Sequence, residues 1–234
     1  MTHVRYASVA VHPAFARVPF RVIFFENPVY FQLFYGTIEL YSQIDRRTTS
    51  VIMPLPQKHS FTIRDIYALP DGVRAELING ELYMMAPSSR IHQEISQYLS
   101  MTIGSYIHQN KGTCKVYPAP FAVFLNKDDS TYVEPDISVI CSRDKLNNRG
   151  CQGAPDWIIE IVSPGSKIND YYTKLSLYQT AGVREYWIVD PLKKVVLDYN
   201  MEHGDAPIIH FFHDTITSIV VEGLAIDFSR IDLS

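Results

Sequence analysis

Acidic residues interrupt two apolar segments that otherwise have the composition of buried β-strands. The segment TYVEPDISVI carries Glu134 and Asp136. The segment DWIIEIVSP, which follows it in the chain, carries Asp156 and Glu160. An ionised carboxylate in a sheet interior is unfavourable unless a cation or hydrogen bonds compensate for its lost hydration. These acids therefore indicate a functional site, because ordinary core positions of a strand would be apolar.

Strand geometry predicts which of the acids can meet. Side chains two residues apart share one face of a strand, and Asp136 and Glu160 converge at one end of the sheet if their strands are neighbours. Two convergent carboxylates repel each other unless a divalent cation lies between them. Mg²⁺ suits such a pair because it takes one or two carboxylates and fills its other positions with water and phosphate oxygens. The backbone carbonyl of Ile161 is a further candidate ligand.

Phosphodiester hydrolysis at such a metal also requires a cation near the attacking water or the developing charge. The commonest position for this lysine, two residues after the second acid, holds the apolar Val162. We expect Lys174 to replace it, because Lys174 lies on the helical face that must pack on the sheet. Lys167, near the start of that helix, is the second candidate. A solvated Lys174 paired with Asp170 is the alternative interpretation.

The surrounding sequence predicts the elements that position these residues. The Asn79–Gly80 dipeptide between AELI and ELYMM is typical of a β-hairpin. A helix is predicted after Ser88 or Ser89, and a second one, KINDYYTKLSLYQTAG, is closed by Gly182. From residue 89 onward the predicted order is α-β-β-β-α-β. We therefore expect an α/β fold with a mixed sheet, an added N-terminal β-hairpin and additional C-terminal β-strands over KKVVLDYN, IIHFFH and TSIVV.

The composition indicates a folded domain preceded by a different segment. The chain has 234 residues, of which 47% are hydrophobic and 20% charged, as in ordinary globular proteins. Residues 1–52 are rich in aromatic residues and lack helical or alternating periodicity. The sequence from Met53 resembles the beginning of a protein. We expect 53–234 to be the functional domain, and 1–52 to be either an accessory extension or the product of a misplaced start codon.

Charge and cysteine content restrict the classes of partner and compartment. The net charge of −4 gives no basic signature of nucleic-acid binding, although a local basic groove is compatible with an acidic chain. The three cysteines, Cys114, Cys141 and Cys151, lack the spacing of a zinc site or a disulfide framework, so we expect reduced thiols in a cytoplasmic protein. No segment has the pattern of a signal peptide or a membrane span.

Several segments together resemble the Uma-two family, described as restriction endonucleases of the PD-(D/E)XK nuclease superfamily. From about Phe61 to the end of the chain, the matching segments are RAELINGELYMM, IHQEIS, VEPDISVI, RGCQGAPDWIIEIVSP and YYTKLSLYQTAGVREYWIVDP. The resemblance implies a restriction-endonuclease-like core. It also implies DNA cleavage that depends on Mg²⁺, with Mn²⁺ able to substitute for it.

The resemblance implies roles for individual residues. The superfamily's motif aspartate falls on Asp136, its second acid on Glu160 and the helix lysine of the family on Lys174. The E-x-K lysine is absent, as it generally is in this family. The family's hairpin glutamate falls on Glu76, which is a candidate for an extra metal or water contact. A cross-strand contact with Tyr83 is the alternative for Glu76.

The remaining candidates near these motifs have weaker signals. We interpret His92, one turn into the first long helix, as a structural histidine, with an accessory role in the site as the alternative. We interpret Glu134 as a charge at the rim and Tyr178 as a core residue.

Two classes of function follow. The first is a Mg²⁺-dependent DNA endonuclease with two carboxylates and a lysine displaced onto the following helix, with a ribonuclease as its variant. The second is a catalytically inactive member that binds DNA or a protein on the same fold. Cutting both strands with one site per chain favours a homodimer.

Overall fold

The computed structural model describes residues 60–126, 129–163, 169–204 and 206–232, with the backbone alone at 169–170. The predicted extension at 1–52 and the predicted domain start at Met53 lie outside these residues. Lys167 also lies outside them, so its candidate role stays a prediction. No helix of the described residues has the length and apolar character needed to cross a membrane.

The described residues combine α-helices with several β-sheets. The α-helices are α1 (Ile63–Tyr67), α2 (Arg90–Gln109) and α3 (Lys174–Ala181), and a π-helical turn, Asn169–Thr173, leads directly into α3. The strands are β1 (Ala75–Ile78), β2 (Glu81–Met84), β3 (Lys115–Pro118), β4 (Val123–Phe124), β5 (Ile137–Ile140), β6 (Leu146–Asn147), β7 (Gly150–Gln152), β8 (Trp157–Ile161), β9 (Glu185–Asp190), β10 (Val195–Asn200), β11 (Ile208–Phe211), β12 (Thr215–Thr217) and β13 (Ala225–Asp227).

The main sheet has six strands in the order β11-β10-β9-β8-β5-β3. Strands β8 and β9 are parallel, and the other neighbours are antiparallel. Ile137 on β5 pairs with Ile159 on β8. Because the two strands are antiparallel, this register places Asp136, just before β5, opposite Glu160 of β8. The start of β5 and the carboxyl end of β8 therefore lie at the same end of the sheet.

Local sequence signals account for the elements that flank this end. Asn79 and Gly80 have φ angles of 51° and 79°, as a type I′ turn requires, and they join β1 to β2. The Ser89 side chain accepts a hydrogen bond from the amide of His92 and caps α2. Gly182 ends α3 in the left-handed region, with φ of 91°. These three predictions agree with the structure.

The two faces of the sheet are covered by different helices. On one face, Leu99 and Ile103 of α2 pack with Trp157 and Trp187 of the sheet. On the other face, Tyr178 of α3 packs in a second buried cluster with the strand residues that point that way. Because both faces are covered, the central strands are almost entirely apolar, and any acid on them needs a specific partner.

Two expectations from the sequence are corrected. The segment TSIVV was predicted as a strand, but only Thr217 belongs to one, because the Ser218 hydroxyl accepts hydrogen bonds from the amides of the next residues and turns the chain. Cys114 and Cys141 form a disulfide, so the prediction of three reduced thiols is wrong for this pair. Cys114 directly precedes Lys115 of β3, and Cys141 directly follows Ile140 of β5, which pairs with Lys115. The two cysteines are 27 residues apart in the chain, so the sequence alone does not show that they are neighbours.

Candidate active site

Asp136 lies immediately before β5, where the sheet ends, and its side chain keeps 17% of its surface exposed. Its Oδ2 atom accepts a hydrogen bond of 2.7 Å from the amide of Ile161 at the end of β8. The Nε2 atom of His92, in the first turn of α2, lies 3.1 Å from the same oxygen. Asp136 is thus held between the sheet end and α2, with one edge open to solvent.

Glu160 belongs to β8 and is 3% exposed. Its Oε1 atom accepts hydrogen bonds from Lys174 at 3.0 Å and from the Tyr178 hydroxyl at 2.7 Å. Its Oε2 atom accepts a longer one, 3.4 Å, from the amide of Asp136. The side chain therefore points to the α3 side of the sheet and also contacts the segment that carries Asp136. The two acids of the sequence motif meet as their strand positions predict.

Lys174 is the first residue of α3 and is 5% exposed. Its ammonium group lies 2.9 Å from Glu76 Oε2 and 3.0 Å from Glu160 Oε1. The alternative of a solvated helix lysine is therefore wrong. A buried lysine between two buried carboxylates compensates for the unfavourable burial of both acids.

Glu76 joins the cluster from the β1–β2 hairpin. It is opposite Tyr83 in the hairpin register, as the alternative interpretation requires, but its carboxylate also pairs with Lys174. Its second oxygen accepts a hydrogen bond of 3.0 Å from the amide of Glu134. Glu76 is 5% exposed, so the hairpin contributes a buried charge to the same site.

Glu134 is not the rim charge that we expected. It is 8% exposed, and its carboxylate accepts hydrogen bonds from Arg74 at 2.9 Å and from the Tyr132 hydroxyl at 2.6 Å. Burial, and then the neighbouring Glu134, raise the pKa of Tyr132, so its hydroxyl stays a donor. Glu134 acts through its backbone amide, which positions Glu76.

Tyr178 is the contributor that the sequence interpretation missed. It is a core residue, as expected, but its hydroxyl also donates to Glu160. Burial, and then the charge of Glu160, raise the pKa of Tyr178 well above its ordinary value, so the group donates and does not ionise. The sequence signal that could have identified Tyr178 as a site residue is its spacing, since it follows Lys174 by one helical turn on the same face.

His92 and Ile161 both contact the carboxylate of Asp136, His92 through its imidazole ring and Ile161 through its backbone amide. The position of His92 therefore fits the alternative of an accessory role in the site, because its ring contacts a candidate metal ligand, Asp136. Ile161 contacts Asp136 through its amide, and its proposed carbonyl contact stays a prediction.

The donor chemistry of the site fits a hard divalent cation. Within the described residues, no group of three or more His, Cys, Asp or Glu side chains is arranged to hold a metal ion. Mg²⁺ does not require such a group, since it binds through one or two carboxylates. Oδ1 of Asp136 accepts no hydrogen bond from the described residues, and the side chain is at the solvent edge. Asp136 therefore has a carboxylate oxygen that a cation could use.

Comparison with known proteins decides the family. The model of the Uma2 family, described as "Putative restriction endonuclease", matches residues 63–234. The chain belongs to the Uma2 family. This confirms the resemblance inferred from the sequence, and it makes the protein a member of a nuclease family for which DNA is the implied substrate.

A solved structure supports the same fold. The crystal structure described as "a putative nuclease belonging to DUF820 from Anabaena variabilis" matches with a TM-score of 0.61 and 19% identity. The alignment covers 73% of this chain and 97% of the other. At this identity the match shows the fold, and the predicted α/β fold class with a mixed sheet is confirmed. No curated protein matches the chain.

Proposed function

We propose that this Uma2 protein is a Mg²⁺-dependent DNA endonuclease that hydrolyses phosphodiester bonds. The observation that carries the proposal is the convergence of Glu76, Asp136, Glu160 and Lys174 at one end of the sheet. These residues come from four separate segments of the chain, and Glu76, Glu160 and Lys174 are almost completely buried. Asp136 and Glu160 would hold the cation, and Glu76 is the additional candidate ligand.

The backbone of Ile161 supports a further ligand. In an extended strand the amide and the carbonyl of one residue point to the same side, which is why paired residues exchange two hydrogen bonds. The amide of Ile161 points to the carboxylate of Asp136. Its carbonyl therefore faces the side of β8 on which Asp136 lies, where it would be available to the cation.

Bound Mg²⁺ would polarise a phosphate oxygen and activate a water molecule. The residues of the chain prepare this site. Lys174 compensates the charges of Glu76 and Glu160 and supplies positive charge beside the position of a phosphate. Tyr178 fixes the rotamer of Glu160, and His92 holds the carboxylate of Asp136 against the sheet end.

The alternative of a binding protein without catalytic activity is less well supported. Replacing a buried ionic cluster by apolar residues of similar volume is often neutral or stabilising. A fold that served only for binding would therefore gain nothing from keeping Glu76, Glu160 and Lys174 buried together. Their presence in one buried cluster supports a role in chemistry. For cleavage of both strands we further propose a homodimer, which light scattering of the purified protein tests.

A plasmid-nicking assay tests the proposed activity. The wild-type protein should convert supercoiled DNA to the nicked form with Mg²⁺ or Mn²⁺ but not in EDTA. Asp136→Ala should reduce the rate by about 10²–10³ or more, because the cation that Asp136 would hold acts on the developing charge. Asp144→Asn is the matched control, because Asp144 is a fully exposed acid beyond the other end of β5.

The outcomes separate the candidate functions. Equal nicking by wild type and Asp136→Ala would exclude this site as the source of activity. Cleavage of RNA but not DNA in the same assay would make the protein a ribonuclease. Folded protein that binds DNA and cleaves neither substrate would favour the inactive alternative.

A further inference from the structure

A second feature at the same end of the main sheet has the chemistry of a nucleic-acid contact. A cavity of about 570 Å³ opens between the β9–β10 turn and the end of β11. Its lining includes Lys193, Lys194, Phe211, His213 and Ser229. We call it the Lys193 groove.

The strand pairing places the Lys193 groove at the same end of the sheet as the candidate active site. Ile161 of β8 pairs with Val189 of β9, and Val195 of β10 pairs with both Asp190 of β9 and Phe211 of β11. The groove is thus two to three strands away from β8. At about 4.8 Å between neighbouring strands, the lateral distance is roughly 10–15 Å. A nucleic-acid strand that crosses the acids can therefore reach the groove within a few nucleotides.

The groove carries accessible positive charge. The side chain of Lys193 is 55% exposed, and its ammonium group lies 3.7 Å from Asp190 and 5.1 Å from the centre of the Tyr171 ring. Lys194 is exposed and forms no ion pair with the described residues. Tyr171 belongs to the π-helical turn that leads into Lys174, so the groove and the active site adjoin through this turn.

An exposed aromatic pair lies beside these lysines. Phe211 keeps 50% of its surface exposed, although it is a large apolar side chain. Its ring is stacked on that of His213, with 5.5 Å between centroids and 3° between planes. Proteins bind unpaired nucleic-acid strands by combining positive side chains that contact the phosphates with exposed aromatic rings on which the bases stack.

We propose that the Lys193 groove binds an unpaired stretch of the substrate strand, next to the bond cleaved at the active site. Lys193 and Lys194 contact its phosphates, and a base stacks on Phe211. This inference rests on the proposed nuclease function, and it adds that the substrate is unpaired where it passes the groove.

Binding and cleavage are measured separately to test it. Fluorescence anisotropy with a labelled single-stranded oligodeoxynucleotide in EDTA gives the affinity over a series of salt concentrations, and the same strand as a duplex is the comparison. The variants are Lys193→Gln/Lys194→Gln and Phe211→Leu. The matched control is Lys111→Gln/Lys115→Gln, which changes the net charge equally at a second cavity, near the opposite end of the sheet.

The groove variants should weaken single-strand binding, and the control should not. Loss of two phosphate contacts should flatten the slope of log K against log salt by about 1.4, at roughly 0.7 per contact for a single strand. Phe211→Leu should weaken binding at least about fivefold without changing the slope. The duplex should bind more weakly than the single strand.

Several results would overturn the proposal. These are equal weakening by the control pair, equal affinity for the duplex, an unaffected Phe211→Leu variant, or no binding by the wild type. If the groove variants lose binding but the wild type never nicks DNA, the groove stands and the nuclease proposal fails. If the wild type nicks DNA, and the groove variants bind and cleave DNA as well as the wild type, only the groove proposal fails.

Discussion

Replacing Lys174 by methionine tests whether the buried charges of the site depend on one another. Lys174 is 5% exposed and lies 2.9 Å from Glu76 and 3.0 Å from Glu160. Methionine fills a similar volume but carries no charge. The substitution therefore leaves packing nearly unchanged and leaves two buried carboxylates without their shared cation.

The expected loss of stability is large. Removing one partner of a buried ion pair costs about 3–5 kcal/mol, because the remaining charge stays desolvated. For a domain of this size the loss corresponds to a decrease in Tm of roughly 6–20 °C.

Urea and thermal unfolding of the wild type and the variant measure the effect. Lys115→Met is the matched control, because Lys115 is exposed on β3, and it should change the free energy of unfolding by less than about 0.5 kcal/mol. Adding Glu76→Gln to Lys174→Met should recover part of the lost stability by removing one unpaired charge. If Lys174→Met were as stable as the wild type, the ion pairs with Glu76 and Glu160 would not be buried as described.

Three further predictions concern other buried groups. Burial raises the pKa of Glu185 from 4.5 to about 7, so the folded state holds this proton more tightly than the unfolded state. The free energy of unfolding should therefore fall by up to about 3 kcal/mol as pH rises through this window, and urea titrations of Glu185→Gln should lack that fall. Tyr178→Phe removes the hydroxyl that donates to Glu160 and should lower the free energy of unfolding by about 1.5–3 kcal/mol; an unchanged urea midpoint would contradict the contact. Burial raises the pKa of the Cys151 thiol to about 11, so mass spectrometry of native protein treated with iodoacetamide near neutral pH should find this residue unmodified, and rapid alkylation would show that it is accessible.

Much of the fold is accessible from local sequence signals. The Asn79–Gly80 turn, the serine cap of α2 and the glycine that ends α3 each act within a few residues, and each agrees with the structure. The convergence of Asp136 and Glu160 was also predictable, because strand periodicity fixes the face of each side chain once the two strands are neighbours. Their roles in catalysis stay predictions.

The contacts that depend on long-range register could not be predicted in the same way. Glu134 looked like a rim charge because Arg74, the cation that meets its carboxylate, lies 60 residues away in the chain. The pairing of Cys114 with Cys141 follows from the register of β3 on β5, which depends on the whole sheet. In both cases the partner is set by tertiary packing, on which the local pattern carries no information.

The order in which the charges of the site are synthesised has a consequence for the growing chain. Glu76, Asp136 and Glu160 leave the ribosome before Lys174, the cation that pairs with two of them. Domains generally fold as units during synthesis, and burying acids without their partner is unfavourable. A nascent chain that ends before α3 can therefore hold Glu76 and Glu160 only in hydrated, unpaired form. The docking of α3 completes the site, and products of premature termination before this helix lack it.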